Sequence, residues 1–116
     1  MEIKDAQKKV DDLIQHYGGY WEPLSMLARL VEEVGELSRG VNIKFGGKKS
    51  KYKGDGDKAI GEEISDVLFT TLALSNALNV EASEELESKI EKDYAKCQGV
   101  YDTAEDKVKC TNKEGP

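Results

Sequence analysis

The sequence predicts an all-α protein, a bundle built from four main helices. Apolar side chains recur at steps of three and four residues in four separate stretches, which is the spacing of one face of an α-helix. Glycines separate the first three stretches, and no stretch shows the period of two that is typical of a strand. A length of 116 residues fits a single domain.

The first two helices are separated by Gly18 and Gly19, which end the first of them. The first helix covers about residues 2–17, and Pro23 suits the first turn of the second, which runs to about Ile43. The apolar positions of the second helix are Leu27, Leu30, Val31, Val34, Leu37 and Val41. We expect this apolar stripe to face the core.

The other two helices follow a segment with four glycines and no periodicity. Residues 46–57 are interpreted as an exposed, mobile loop. The third helix is predicted over about residues 58–78 and the fourth over about 82–96. Residues 1–97 therefore form the helical domain, and residues 98–116 are expected to be a polar, flexible tail.

Charge and composition exclude several classes of protein. Acids outnumber bases by 23 to 17, a net charge of −6, so a general nucleic-acid binder is not expected. No apolar run approaches the roughly 18 residues of a membrane span, and no leader is recognised at the N-terminus, so we expect a cytoplasmic protein. Cys97 and Cys110 lack the spacing of a metal site and are expected to be reduced.

Two pairs of acids are candidates for a metal site. Glu33 and Glu36 lie three residues apart on the second helix, and Glu63 and Asp66 do so on the third, so each pair shares a helix face. The third helix is apolar nearly all round, and a carboxylate removed from water there needs a compensating cation. Two antiparallel helices would bring four oxygen ligands together, a set that suits Mg²⁺, with Mn²⁺ as a substitute.

Other interpretations of these acids stay open at this point. Pairs at this spacing are common on solvated helix faces. A di-iron carboxylate bundle would need a Glu-x-x-His motif on two helices, and His16 is the only histidine. That bundle is therefore the weaker alternative.

The motifs resemble those of the MazG-like all-α nucleotide pyrophosphohydrolases. Their E-E-x-x-E and E-x-x-D signatures stand here at residues 32–36 and 63–66. The flanking stretches GYWEPLSMLARLVEEVGELSRGVN and GEEISDVLFTTLALSNAL are similar to the small, single-domain YpjD-type branch. The resemblance covers about residues 7–97.

The resemblance implies an enzyme with a MazG-like helical bundle completed by oligomerisation, as a homodimer or homotetramer. It implies cleavage of a nucleoside triphosphate between its α and β phosphates, for pool control or removal of unwanted nucleotides. By position, Glu33, Glu36, Glu63 and Asp66 correspond to the catalytic metal ligands. Glu32 and Glu62 would support those ligands or activate water.

Further residues are candidates for contacts with the substrate. Tyr20 and Trp21 could stack on a nucleobase, although packing in the core or a dimer is the favoured explanation for them. Thr70 lies one turn after Asp66 on the polar strip of the third helix. Three more candidates are Lys44 near the end of the second helix, Lys92 on the fourth, and Asn76. Asn76 lies one turn beyond Ala73, which is the position at which some relatives carry asparagine.

Two alternative functions remain compatible with the sequence. The first is a phosphoribosyl-ATP pyrophosphatase-like enzyme, which shares the acidic helices. The second is a non-catalytic helical module for dimerisation or regulation, whose acids would be surface charge.

Overall fold

The computed structural model describes residues 1–46 and 60–97, and in these ranges the chain is helical without strands. Its helices are α1 (Ile3–His16), α2 (Pro23–Phe45), α3 (Ile60–Ala77) and α4 (Ala82–Cys97). The all-α prediction is confirmed, and the helix bounds differ from the predicted ones by two residues at most, the α2 end included. Residues 47–57 of the loop predicted at 46–57, and the tail predicted at 98–116, lie outside the described residues.

Local chemistry accounts for several of the helix ends. The side chains of Glu2 and Asp5 form a capping box at the start of α1. After α1, Gly18 and Gly19 adopt φ values of +107° and +101°, which only glycine adopts readily, so the chain can reverse there. Pro23 occupies the first turn of α2, where its missing N–H costs nothing.

The end of α3 has a Schellman motif. Asn79 adopts a left-handed φ of 56°, and the Val80 N–H donates to the Ser75 carbonyl at 2.8 Å. The Asn79 N–H donates to the Asn76 carbonyl at 3.1 Å, so the motif satisfies carbonyls that the helix end would leave unpaired. This turn ends the first of two compact units, Met1–Glu81, and the second unit begins with α4.

The first unit packs α3 against both α1 and α2. Its core is small: Val10, Met26 and Ala73 are the buried apolar residues in the described part of the chain. Side chains that pack around this core while remaining partly exposed are Ile14, Tyr20, Leu72, Leu74 and Ala77. A core of this size leaves much apolar surface in contact with water.

The face of α2 that points inward is not the predicted one. In α2 the buried positions are Met26, Glu33 and Gly40, seven residues apart, rather than the predicted apolar stripe. Members of that stripe that remain largely exposed are Leu27, Val31, Val34 and Val41. In α3 it is the strip with Thr70 and Ala73 that is buried. Its exposed apolar residues include Ile64, Leu68 and Phe69.

Two further expectations were tested by the fold. Cys97 is disulfide-bonded, so the expectation of a reduced thiol was wrong. Sequence separation gives neither the distance nor the side-chain orientation on which disulfide formation depends. None of the helices in residues 1–46 and 60–97 is long and apolar enough to cross a membrane.

Candidate metal centre and adjoining pocket

The packing of α2 against α3 determines which residues of the two helices meet. Gly40 lies close enough to Ile60 that a Cβ built on the glycine would be 3.7 Å from the Ile60 Cγ1 atom. At the other end, Met26 and Ala73 share the core cluster. Low numbers on α2 therefore meet high numbers on α3, so the helices are antiparallel.

This antiparallel packing brings the two acid pairs together. One carboxylate oxygen from each of Glu33, Glu36, Glu63 and Asp66 can be chosen so that all four lie within 4.8 Å of one another. Glu33 is buried, Glu63 is half-buried, and Glu36 and Asp66 are exposed. The cluster is thus anchored in the protein on one side and open to solvent on the other, and it could hold a metal ion.

Two oxygens of the cluster are buried without a hydrogen-bond partner, Oε2 of Glu33 and Oε2 of Glu63. Burial, followed by the nearby Glu36 carboxyl, raises the pKa of Glu33 above its usual value, and the Arg29 cation offsets only part of this effect. Burial raises the pKa of Glu63 as well, reinforced by the negative charges of Glu36 and Asp66. Positive charge therefore compensates Glu33 only in part, and no cation is among the causes of the Glu63 shift.

Arg29 is a basic residue in contact with this cluster. Its Nη2 atom lies 2.8 Å from Oε1 of Glu33, and its Nη1 atom lies 3.7 Å from Oε2 of Glu32. We had not predicted a role for Arg29. Its position four residues before Glu33 was the available signal, because side chains at i and i+4 are neighbours on a helix.

A pocket of about 360 Å³ adjoins the cluster. Glu33, Asp66 and Arg29 lie on its polar side. Its other lining residues are Ile14, Gly19, Tyr20, Trp21, Met26, Phe69, Thr70 and Ala73. An apolar and partly aromatic cavity beside a carboxylate cluster is suited to a ligand with a flat organic part and a charged part.

The hydroxyl of Tyr20 is held by the protein. It donates a hydrogen bond to Oδ1 of Asp11 at 2.6 Å, which fixes the ring against the pocket. Burial and this bond to Asp11 raise the pKa of Tyr20 to about 12.

Asn76 joins α3 to α1 through two hydrogen bonds with Gln7. Its amide donates to the Gln7 carbonyl at 2.9 Å, and its oxygen accepts from the Gln7 side chain at 3.0 Å.

The structure brings some of the predicted substrate contacts together and leaves others apart. Tyr20, Trp21 and Thr70 all line the pocket. Asn76 does not line it and instead joins α3 to α1. The ammonium of Lys44 lies 5.5 Å from the centre of the Phe45 ring. Residue 44 follows Glu36 by eight positions, which is about 12 Å along the axis of α2.

The remaining predicted residues are less closely tied to the cluster. Glu32 is exposed beside Arg29, and Glu62 is an exposed acid whose charge helps to raise the pKa of Glu63. Lys92 is exposed on α4, in the second unit. Met26 and Phe69 line the pocket without having been predicted as contacts, because their apolar positions indicated only packing.

Known proteins are similar to this chain in sequence and in fold. The model of the MazG nucleotide pyrophosphohydrolase domain matches residues 21–103. YpjD of Bacillus subtilis (strain 168), described as an uncharacterized protein, is 48% identical over 83 residues, covering 71% of this chain and 74% of that protein.

Two crystal structures extend the likeness. That of YpjD from Bacillus subtilis, described as a proposed pyrophosphatase, has a TM-score of 0.71 at 42% identity and covers 79% of this chain and 94% of its own. That of a Bacillus-conserved MazG protein, a nucleotide pyrophosphohydrolase, has a TM-score of 0.63 at 38% identity, covering 80% and 87%. The chain therefore belongs to the MazG family of nucleotide pyrophosphohydrolases.

Proposed function

We propose that this chain is a Mg²⁺-dependent hydrolase of nucleoside triphosphates, which releases a nucleoside monophosphate and pyrophosphate. The observation that carries the proposal is the carboxylate cluster on α2 and α3. Its four ligand oxygens lie within 4.8 Å of one another, and two further facts distinguish it from surface charge: Glu33 is 3% exposed, and buried oxygens of Glu33 and Glu63 have no partner.

The residues of the cluster fit a hard divalent cation. A buried carboxylate oxygen without a partner costs free energy, which a bound cation can offset. Because all four donors are carboxylates, the set favours Mg²⁺ or Mn²⁺ over the softer metals that cysteine and histidine bind. The exposed carboxylates of Glu36 and Asp66 leave the cluster accessible to phosphate oxygens that would share the ion.

The acids on α2 and α3 can be assigned different roles in hydrolysis. Bound Mg²⁺ neutralises phosphate charge and lowers the pKa of a coordinated water. We assign ion binding to Glu33, Glu36, Glu63 and Asp66. We assign the acceptance of a proton from the attacking water to Glu36, the more exposed of the two cluster acids on α2. The neighbouring Glu32 and Glu62 would support these carboxylates.

The pocket supports the assignment of the substrate class. Tyr20, Trp21 and Phe69 offer flat faces to a nucleobase, and Thr70 offers a hydroxyl to the nucleoside. Lys44 and Lys92 remain candidates for contacts with the phosphates, and Asn76 would act only through the α1–α3 contact it makes. Nucleoside triphosphates are abundant in the cytoplasm, where we place the protein.

We propose further that the active form is a homo-oligomer, a dimer or a tetramer. Apolar residues of α2 and α3 are widely exposed in the single chain, for example Val31 at 64% and Leu68 at 58%. Both helices also carry the carboxylate cluster. A second copy of the chain can cover such surfaces with the same surfaces of its own, as symmetric interfaces do.

The decisive experiment measures pyrophosphate release from a panel of ribo- and deoxyribonucleoside triphosphates, phosphoribosyl-ATP included, with Mg²⁺, with Mn²⁺ and with a chelator. We expect turnover of one or more triphosphates that requires the ion. The double variant Glu63→Gln, Asp66→Asn should lose at least 100-fold in kcat/KM, about 2.7 kcal/mol of transition-state stabilisation.

Asp12→Asn is the matched control, because Asp12 is an exposed acid on α1 that pairs with Lys8. It should retain wild-type turnover. Absence of turnover across the panel with both ions would refute the proposed function. Turnover of phosphoribosyl-ATP alone would replace it with the second enzymatic alternative.

A further inference from the structure

We propose that Arg29 is a positioning residue of the metal site, one that holds one oxygen of Glu33 so that the other is presented to the ion. The inference rests on the proposed function, since it assumes that the carboxylate cluster binds a divalent cation. It assigns a role to a residue outside the four acidic ligands. The role is to fix the orientation of a ligand before the ion arrives.

The contact between Arg29 and Glu33 is short and its acceptor is buried. Nη2 of Arg29 lies 2.8 Å from Oε1 of Glu33, and the Glu33 side chain is 4% exposed, whereas the Arg29 side chain is 53% exposed. One helical turn separates the two residues, so both side chains project from the same face of α2. A charge-assisted hydrogen bond of this length to a buried oxygen orients the carboxylate firmly.

The two oxygens of Glu33 have different surroundings. Oε1 is bound by Arg29, whereas Oε2 is buried and has no hydrogen-bond partner. A carboxylate with one oxygen satisfied and the other unsatisfied, within a cluster of four acids, is prepared for a single further bond. We infer that Glu33 binds the ion through Oε2 alone, because the guanidinium occupies the other oxygen.

Arg29 is also the one basic residue among the described side chains that line the pocket, so a contact with the substrate phosphates must be distinguished from positioning. The two roles differ in what happens without nucleotide. A residue that acts on the substrate alone leaves the binding of the free ion unchanged. A positioning residue alters it.

The direction in which ion affinity changes when Arg29 is removed distinguishes an effect of charge from an effect of orientation. A cation beside a divalent ion repels it, so removing Arg29 should strengthen ion binding if charge were its only contribution. If Arg29 orients Glu33, its removal should weaken ion binding instead. Loss of a partner that orients a metal ligand typically costs 10- to 100-fold in affinity.

The test is a titration of nucleotide-free protein with Mn²⁺, followed by calorimetry and by the electron paramagnetic resonance signal of free Mn²⁺. We expect Arg29→Gln to raise the Kd for Mn²⁺ by roughly 10- to 100-fold. Arg29→Lys keeps the charge but loses the planar fork of donors, so we expect a smaller rise. Lys8→Gln, which removes an exposed positive charge on α1, should leave the Kd unchanged.

Each outcome of the Mn²⁺ titration supports or overturns the proposed role of Arg29. Equal or tighter binding by Arg29→Gln overturns the proposal, as does a loss of turnover with an unchanged Kd for the ion. Should Arg29→Gln fail to fold by circular dichroism, Arg29→Lys decides: weaker binding supports the proposal, and wild-type affinity overturns it. A wild-type chain that binds no Mn²⁺ removes the metal site itself, and the inference with it, so the two failures are distinguishable.

Discussion

Glu63 illustrates how a residue can serve a metal site at the expense of stability. It is half-buried, one of its oxygens has no partner, and burial together with three neighbouring acids raises its pKa. We expect Glu63→Gln to stabilise the metal-free protein by roughly 1 kcal/mol, because it removes a desolvated charge from a cluster of like charges. Thermal unfolding in the presence of a chelator measures this difference.

Added Mg²⁺ should reverse the order of the two proteins. An ion bound by the folded wild type would raise its melting temperature, whereas Glu63→Gln, which lacks one of the proposed ligands, should respond little. Asp12→Asn again provides the control, with wild-type values in both conditions. A variant that is less stable than the wild type without metal would contradict this account of the cluster.

Tyr20 predicts a dependence of stability on alkaline pH. Its pKa is about 12 in the folded protein and 10.0 as the ordinary value, so the unfolded chain loses this proton first. Between pH 10 and 12 folding must take up a proton, and stability therefore falls as the pH rises. Tyr20→Phe should lack this part of the fall, which denaturant unfolding at pH 9, 10 and 11 can measure.

At neutral pH the same variant reports on the hydrogen bond to Asp11. Tyr20→Phe should cost about 1 kcal/mol, since it removes the donor from a 2.6 Å bond. The ring itself remains, so ligand stacking should persist. Identical alkaline slopes in both proteins would show that the Tyr20 hydroxyl is not held as the structure indicates.

The sequence alone predicted the positions of the four acids but not their environments. Spacing at i and i+3 placed each pair on one helix face, and the family motifs placed the pairs together. The burial of Glu33 could not be predicted, because it lies at the edge of the α2 apolar stripe, and which side of that edge is covered depends on packing. The sequence provided no reason to assign a role to Arg29, because exposed i,i+4 ion pairs are common and contribute little.

At the scale of elements, the register of α2 against α3 depends on a close approach at Gly40. A methyl group fits there, 3.7 Å from Ile60, and alanine favours a helix over glycine by roughly 1 kcal/mol. Gly40→Ala should therefore stabilise the protein and preserve ion binding. Gly40→Leu should force the helices apart and weaken Mn²⁺ binding.

Gly35 provides the comparison for this pair of variants, since nothing lies within 4 Å of a Cβ built there. Gly35→Leu should leave Mn²⁺ binding unchanged if only the α2–α3 spacing matters. Calorimetric titration of these three variants with Mn²⁺ measures the effect. Normal ion binding by Gly40→Leu would show that the acid pairs do not depend on this contact.

Helices were predicted from the sequence more successfully than the faces that they bury. Gly18, Gly19 and Pro23 mark ends that follow from backbone geometry, which is local and readable. Which face of a helix is buried depends on the helix that packs against it, and a periodic pattern in one helix does not identify that neighbouring helix. In α3 the strip with Thr70 and Ala73 is buried, whereas larger apolar residues such as Leu68 remain exposed.

For the whole molecule, the exposed apolar surface predicts self-association. Val31 is 64% exposed on α2, and an aspartate there would introduce charge into an apolar interface. We expect Val31→Asp to shift the mass measured by light scattering from an oligomer towards the 12.8 kDa of one chain. Lys9→Asp, on the exposed side of α1, should leave the oligomer intact, and a monomeric wild type would contradict the prediction.

Ala73 belongs both to the core and to the lining of the pocket. A single methyl group therefore limits the depth available to a ligand and fills the space between helices. Any lineage that enlarges residue 73 to select a smaller ligand must also accommodate the added volume in the core, where overpacking typically costs 1–3 kcal/mol. Adaptation to a new nucleotide at this position is coupled to the stability of the fold, so compensating changes elsewhere are expected to accompany it.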